Sequence, residues 1–128
     1  ISMLVIAKIA RLIGLDQLHI GTVVGKMEGS KNEITEIDKF LKSNWFNVKT
    51  VFPVASGGLH PGLIPSLMKI FGNDIIIQAG GGIHGHKLGT RAGAMAIRQA
   101  IDATLNNIIL KEYSKNHKEL KIALRQWS

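Results

Sequence analysis

The sequence predicts an α/β fold of parallel strands alternating with helices, and three observations carry that prediction. Strand-like and helix-like apolar patterns alternate along the chain. Each strand candidate runs directly into glycine: Gly21, then Gly57 and Gly58, then Gly80, Gly81 and Gly82. The third candidate, "DIIIQAG" at 74–80, is apolar through its middle, as strands buried inside parallel sheets are. With 128 residues, 45% of them hydrophobic, the chain is long enough for one domain with a core.

The elements follow in order. Leu4, Val5, Ile9, Leu12 and Ile13 have helical spacing, with Gly14 placed as a C-cap and no clean capping residue ahead of them. The sequence lacks an initiator methionine and this helix reads as cut near its start, so the chain is expected to be a piece of a longer protein. "QLHIGT" at 17–22 predicts the first strand. Ser30 and Glu33 have capping-box spacing and open a helix to about Leu41. "TVFPVAS" at 50–56 predicts the second strand, although Pro53 cannot donate to a ladder. A helix over 62–71 ends at Gly72. After the third strand, Thr90 is expected to cap a helix through about Asn106, and a polar helix covers 114–127. Residues 1–128 are expected to form a single, partial domain.

Composition narrows the function classes. There is no cysteine, which removes disulfide frameworks and thiolate metal sites. Apolar stretches are short and interrupted by charges such as Lys8 and Arg11, so no membrane span is expected. The formal net charge is +7, with a mild excess of basic residues after Lys111. That charge suits a phosphorylated small molecule as well as nucleic acid. Two tryptophans and one tyrosine give no stacking platform for single strands, so no nucleic-acid partner is expected.

The glycine-ended strands point to an anion site. Ligands in α/β folds sit at the carboxyl ends of the strands, and glycine there lets backbone N–H groups approach a phosphate. Three such turns in succession favour that reading over three merely tight turns. "GTVVGKM" is not a Walker loop: it has three residues between its glycines, and Met27 stands where Ser or Thr would hold magnesium. Gly80, Gly82 and Gly85 match G-x-G-x-x-G formally, but Asp102 falls inside a helix and no strand carries a ribose-binding acid. His84 and His86 lack an evident third metal ligand and read as partly exposed loop histidines.

Three stretches, "HIGTVVGKMEG" at 19–29, "PVASGGLHPGLIP" at 53–65 and "QAGGGIHGHKLGTRAGA" at 78–94, resemble consecutive motifs of the large subunit of ribulose-1,5-bisphosphate carboxylase/oxygenase (Rubisco). "LHPG" and "TRAGA" are closer to the archaeal form III type than to the plant form. The resemblance implies the C-terminal portion of a (β/α)8 TIM barrel: about three βα units of parallel strands, preceded by a helix and followed by a C-terminal helix. It implies that Lys26 is the catalytic lysine of a mobile loop, stabilising charge that develops on carbon dioxide addition, with Gly25 and Gly29 as hinges. It implies substrate binding by His19, by Ser56, Gly57 and Gly58, and by Gln78, Ala79, Gly80 and Gly81. The parent would use Mg²⁺ held by residues outside this chain, so none is expected bound here. Expected partners are ribulose 1,5-bisphosphate or phosphate, the rest of the large subunit and further copies in a homo-oligomer, in the cytoplasm. The alternative is a free-standing, non-catalytic phosphate-binding module, and a third possibility is a piece that folds only by association.

Overall fold

The computed structural model describes residues 1–24 and 31–127. Three parallel strands, β1 (Gln17–His19), β2 (Phe52–Ser56) and β3 (Ile76–Gln78), form one sheet in the order β1-β2-β3. The α-helices are α1 (Met3–Leu12), α2 (Lys31–Lys42), α3 (Ile64–Phe71), α4 (Gly80–His84), α5 (Thr90–Leu105), α6 (Leu110–Tyr113) and α7 (Lys118–Gln126). Single 3-10 turns cover Pro61–Leu63 and Ser114–Asn116. The chain groups into two compact units, residues 1–57 with 70–78, and residues 58–69 with 79–128.

The first unit holds the whole sheet. The register pairs Leu18 with Pro53 and His19 with Val54 on one side of β2, and Val54 with Ile76 and Ser56 with Gln78 on the other. Pro53 is tolerated in this central strand for a local reason. Phe52 N–H donates to Asp16 and Val54 O accepts from Ile20, so those two residues face β1. Alternation turns Pro53 toward β3, where pairing begins only at Val54. The strands are shorter than 17–22, 50–56 and 74–80. Beyond Ile20, Gly21 takes φ +81° and leaves the ladder. Residues of β3 are half-buried or exposed rather than covered on both faces, because this strand is an edge.

Helix α1 does have a cap: Ser2 Oγ accepts from Leu4 N–H at 3.1 Å. At its other end Leu15 N–H donates to Ala10 O and Gly14 N–H to Arg11 O, with Gly14 at φ +82°, a Schellman ending. Ser30 lies outside the described residues, so the capping box there is not placed. Ile34, Ile37 and Leu41 form the buried stripe of α2, which packs against α1 and β2. Asp38 is buried beside them and pairs with Lys42 Nζ at 2.6 Å. Burial raises the Asp38 carboxyl above its ordinary range, partly offset by Lys42.

Arg11 is the most unusual core residue of this unit, with 1% of its surface exposed. Its guanidinium donates to four backbone carbonyls: Lys49 at 2.9 Å, Phe40 at 2.6 Å, Ser43 at 2.6 Å and Val48 at 2.9 Å. It also lies 5.3 Å from the Phe40 ring centre and 5.8 Å from that of Trp45. A planar fork with five donors suits this task, and the carbonyls at the end of α2 favour a cation.

In the second unit α5 presents Ala92, Gly93, Ala96, Ala100 and Ala103 on its buried face, which allows close approach of neighbouring helices. Its N-cap is Gly89 at φ +84°, not Thr90; Thr90 sits inside the first turn, and its hydroxyl lies 3.1 Å from His84 Nδ1. The polar helix expected over 114–127 begins at Lys118, after α6 and a 3-10 turn. Gln99 of α5 fastens its start: Oε1 accepts from Leu120 N–H at 3.0 Å and Nε2 donates to the Glu119 carboxylate at 2.9 Å. That bond, above all, holds the Glu119 carboxyl below its ordinary range.

Candidate anion site

In the first unit, three polar residues stand at the carboxyl ends of the strands. His19 ends β1, Ser56 ends β2 and Gln78 ends β3. His19 Nδ1 lies 3.1 Å from Ser56 Oγ, the donor depending on the imidazole tautomer, and Ser56 is in register with Gln78. His19 is exposed and partnered by a side chain, unlike a core histidine bonded to backbone. Gly57 follows at φ +107°, a conformation side-chain-bearing residues rarely adopt. Parallel strands therefore deliver an imidazole, a hydroxyl and a carboxamide to one edge of the sheet.

Thr22, not singled out by sequence, closes a tight local turn with Val24. It is buried, its Oγ1 donates to Val24 O at 2.8 Å and accepts from Val24 N–H at 3.1 Å. Lys26 itself, with Gly25 and Gly29, lies outside the described residues.

In the second unit, the triple glycine is not a loop. Gly80, Gly81 and Gly82 form the first turn of α4, with Ala79 as N-cap. The three glycines have different reasons to be glycine. A Cβ on Gly82 would lie 2.2 Å from Leu59 O and 2.9 Å from His60 Cα, so α4 rests directly on the backbone that follows Gly58. A Cβ on Gly80 or Gly81 would meet nothing within 4 Å, and neither has positive φ. No packing or backbone constraint requires glycine at those two positions, and glycine weakens a helix. Their first-turn N–H groups are the kind a helix leaves without an intrahelical acceptor. Gly58, at φ +63°, immediately precedes the Leu59–His60 backbone that Gly82 touches. Gly58, Gly80 and Gly81 thus belong to segments held together by main-chain contact.

His86 is buried, contrary to the partly exposed loop residue expected from sequence. Its Nδ1 accepts from Leu88 N–H at 3.0 Å, so Nε2 carries the proton and donates to Glu119 O at 3.0 Å. With both nitrogens engaged, it serves the packing of α7. Among the described residues no group of three or more His, Cys, Asp or Glu could hold a metal ion. The described residues therefore do not supply a donor set for Mg²⁺.

Two cavities open among the described residues. One of about 310 Å³, lined by Lys42, Thr50, Val51, Phe52, Pro53 and Asp74, opens at the amino ends of the strands, away from the glycines. The other, about 490 Å³, carries Lys111, Lys115, Lys121 and Arg125 on its rim. Lys115 there is paired with Glu112 at 2.6 Å.

The family described as ribulose bisphosphate carboxylase large chain, catalytic domain, matches residues 1–127. The ribulose bisphosphate carboxylase of Pyrococcus furiosus is 57% identical over 127 residues, covering 99% of this chain and 30% of that protein. That of Methanosarcina barkeri is 54% identical, covering 99% of this chain and 33% of the relative. Among solved structures, the octameric Rubisco of Pyrococcus horikoshii OT3 in complex with sulfate is 56% identical, with a TM-score of 0.94 over 97% of this chain and 29% of that one. The chain spans about a third of the length of the relatives it matches. Among the described residues no helix is long and apolar enough to cross a membrane.

Proposed function

Because this chain belongs to the family of ribulose bisphosphate carboxylase large-chain catalytic domains, we propose that it supplies the loop lysine and the substrate-phosphate loops of such an enzyme. The complete enzyme adds carbon dioxide to ribulose 1,5-bisphosphate and gives two 3-phosphoglycerates, with oxygenation as a side reaction. Mg²⁺ would be held in that enzyme by ligands outside this chain, where it would supply Lewis-acid chemistry. That enzyme is a homo-oligomer, as the octameric relative is, and works in the cytoplasm.

The observation that carries this reading is the pair Gly80 and Gly81, two helix-weakening residues with open space where a side chain would stand. Space kept clear beside backbone N–H groups suits an anion with oxygen acceptors. Gly58 and Ala79 complete that cradle for one phosphate. His19, with Ser56 beside it, donates to a second phosphate or a neighbouring hydroxyl, and Gln78 and Gly57 shape the same edge. Lys26 brings a compact ammonium on a flexible stem to the carboxylate forming on the attacked carbon. In a site closed to water that charge is worth far more than in solvent.

The alternative, a free-standing phosphate-binding module, needs no metal and no partner. The discriminating experiment measures incorporation of labelled bicarbonate into acid-stable product, with ribulose bisphosphate and Mg²⁺. The expected outcome is turnover by the complete enzyme carrying this segment and none by the 128-residue chain alone. A complete protein that binds the bisphosphate without turning it over would favour the module.

A further inference from the structure

The C-terminal end of α7, Gln126 with its C-cap Trp127, reaches both backbone segments on which the phosphate reading rests, and does so with side chains that the reading leaves without a task. Trp127 stacks on His60, ring centres 5.6 Å apart and planes 16° from parallel. The His60 ring in turn covers Gly62: a Cβ there would lie 3.2 Å from His60 Cε1 and 3.3 Å from Nδ1. His60 Nδ1 is buried and makes no hydrogen bond. Its place is therefore set by packing against Trp127 and Gly62 rather than by a polar partner. Next to Trp127, Gln126 Nε2 donates to Gly85 O at 2.5 Å and its Oε1 accepts from Lys87 N–H at 3.0 Å. One residue of this end thus holds the chain after Gly58, and its neighbour holds the chain after α4. Between them Gly82 lies on the Leu59–His60 backbone.

We propose that Trp127 is a positioning residue for the phosphate cradle: by stacking on His60 it seats the Gly58–His60 segment against Gly82 and so sets the spacing between Gly58 and the Gly80–Gly81 pair. This inference rests on the phosphate reading above and names what holds that cradle in register. Trp127 touches no phosphate. It acts through His60, whose main chain is one of the two surfaces in contact at Gly82. Backbone donors recognise an anion only when their separation matches its oxygens, so a shift of a fraction of an ångström lowers affinity without unfolding anything. The stack removes that freedom.

The test uses the ¹⁵N-labelled 128-residue chain, with inorganic phosphate as the probe and amide shifts of Gly58, Gly80 and Gly81 as the readout. Trp127→Ala is expected to raise the phosphate Kd about tenfold or more, the scale of a misplaced binding group. Trp127→Phe keeps a stacking ring and is expected to restore most of the affinity. His60→Leu keeps bulk but removes the other half of the stack, and is expected to weaken phosphate in the same direction. Leu120→Ala removes buried volume from the same helix and serves as the stability control. It is expected to lower the melting temperature while leaving the Kd within about twofold, since the Leu120 side chain makes no hydrogen bond and its backbone link to Gln99 survives the substitution. Trp127→Ala or His60→Leu with unchanged phosphate affinity overturns the proposal, as does a Leu120→Ala loss of affinity equal to theirs. Absence of phosphate-dependent shifts at the glycines in the unsubstituted chain is a different result: it overturns the phosphate reading itself, and this proposal with it.

Discussion

His19 Nδ1 and Ser56 Oγ, 37 residues apart in sequence, stand 3.1 Å from one another at the carboxyl ends of adjacent parallel strands. The strand register produces this meeting, since His19 pairs with Val54 and Ser56 lies two residues further along the same face. The bond is exposed, so its contribution to stability is small. In a double-mutant cycle of His19→Ala and Ser56→Ala, thermal unfolding should show a coupling below about 1 kcal/mol. In the complete enzyme each single variant should raise KM for ribulose bisphosphate. Unchanged KM in both would remove the pair from substrate binding.

The four glycines near α4 should divide into two classes with opposite signs. Gly80→Ala and Gly81→Ala remove helix-weakening residues into open space and should stabilise the chain by about 0.5–1 kcal/mol each. They should abolish or weaken phosphate binding at the same time. Gly82→Ala and Gly93→Ala press a methyl onto Leu59 O and Ile83 O, where a Cβ would lie at 2.2 Å and 2.0 Å. Overpacking of that kind should cost about 1–3 kcal/mol or more. Denaturant melts of the four variants check this, and a destabilised Gly80→Ala would contradict the open space described.

Lys26→Ala in the complete enzyme should strike carboxylation much harder than enolisation. In the role proposed for it, the ammonium acts on charge that appears only when carbon dioxide adds, and losing such a group costs about 3 kcal/mol or more in transition-state stabilisation. Proton exchange at the substrate carbon should persist while product formation falls by two orders of magnitude or so. Near-normal carboxylation by the variant would remove Lys26 from this role.

Arg11 should be the most sensitive polar residue of the first unit. Arg11→Met keeps volume but leaves the carbonyls of Phe40, Ser43, Val48 and Lys49 without their donor. A loss of about 3 kcal/mol or more is expected. Arg11→Lys keeps the charge but cannot reach four divergent acceptors, so it should recover only part of that. Chemical denaturation of the three forms decides the matter.

Burial lowers the His60 proton affinity below that of an ordinary histidine. The unfolded chain then binds a proton that the folded chain resists. Stability from this group is therefore present above the ordinary histidine range and is lost as pH falls through it. His60→Leu should flatten the stability profile between about pH 7 and pH 5. His86, whose ring centre is 6.4 Å from that of Trp127, remains in both proteins and cancels in the comparison. An unaltered profile would show that His60 does not titrate differently on folding.

Much of the architecture was legible because apolar spacing and end signals agree locally. Gly14 and Gly72 fall just past α1 and α3 with positive φ, as C-terminal glycines do. The order of the three strands and their glycine ends was also readable, whereas the grouping of His19, Ser56 and Gln78 came from the motif resemblance alone. What was not legible depends on partners distant in sequence. Three successive glycines read as a turn by propensity, yet contact with Leu59 and His60 holds them in a helix. His86 is the loop residue expected, but its burial was not legible, because its acceptor, Glu119 O, lies 33 positions away. Trp127 and His60 carried no spacing signal at all, since a stack between residues 67 apart has no local pattern.

The glycine contacts at positions 82 and 93 have a mechanical meaning. Helix α4 touches the Leu59–His60 backbone on one side and, through Ile83 O, the backbone of α5 on the other, with no side chain between. Side chains are the springs of a protein interior, since they change rotamer and absorb small strains. A helix wedged between main chains has no such cushion, so it behaves as a stiff bearing. Whatever ligand rests against its first turn meets a surface that yields little. The same stiffness leaves this corner of the fold no tolerance for added bulk, and libraries that vary the protein for altered catalysis should leave Gly82 and Gly93 untouched.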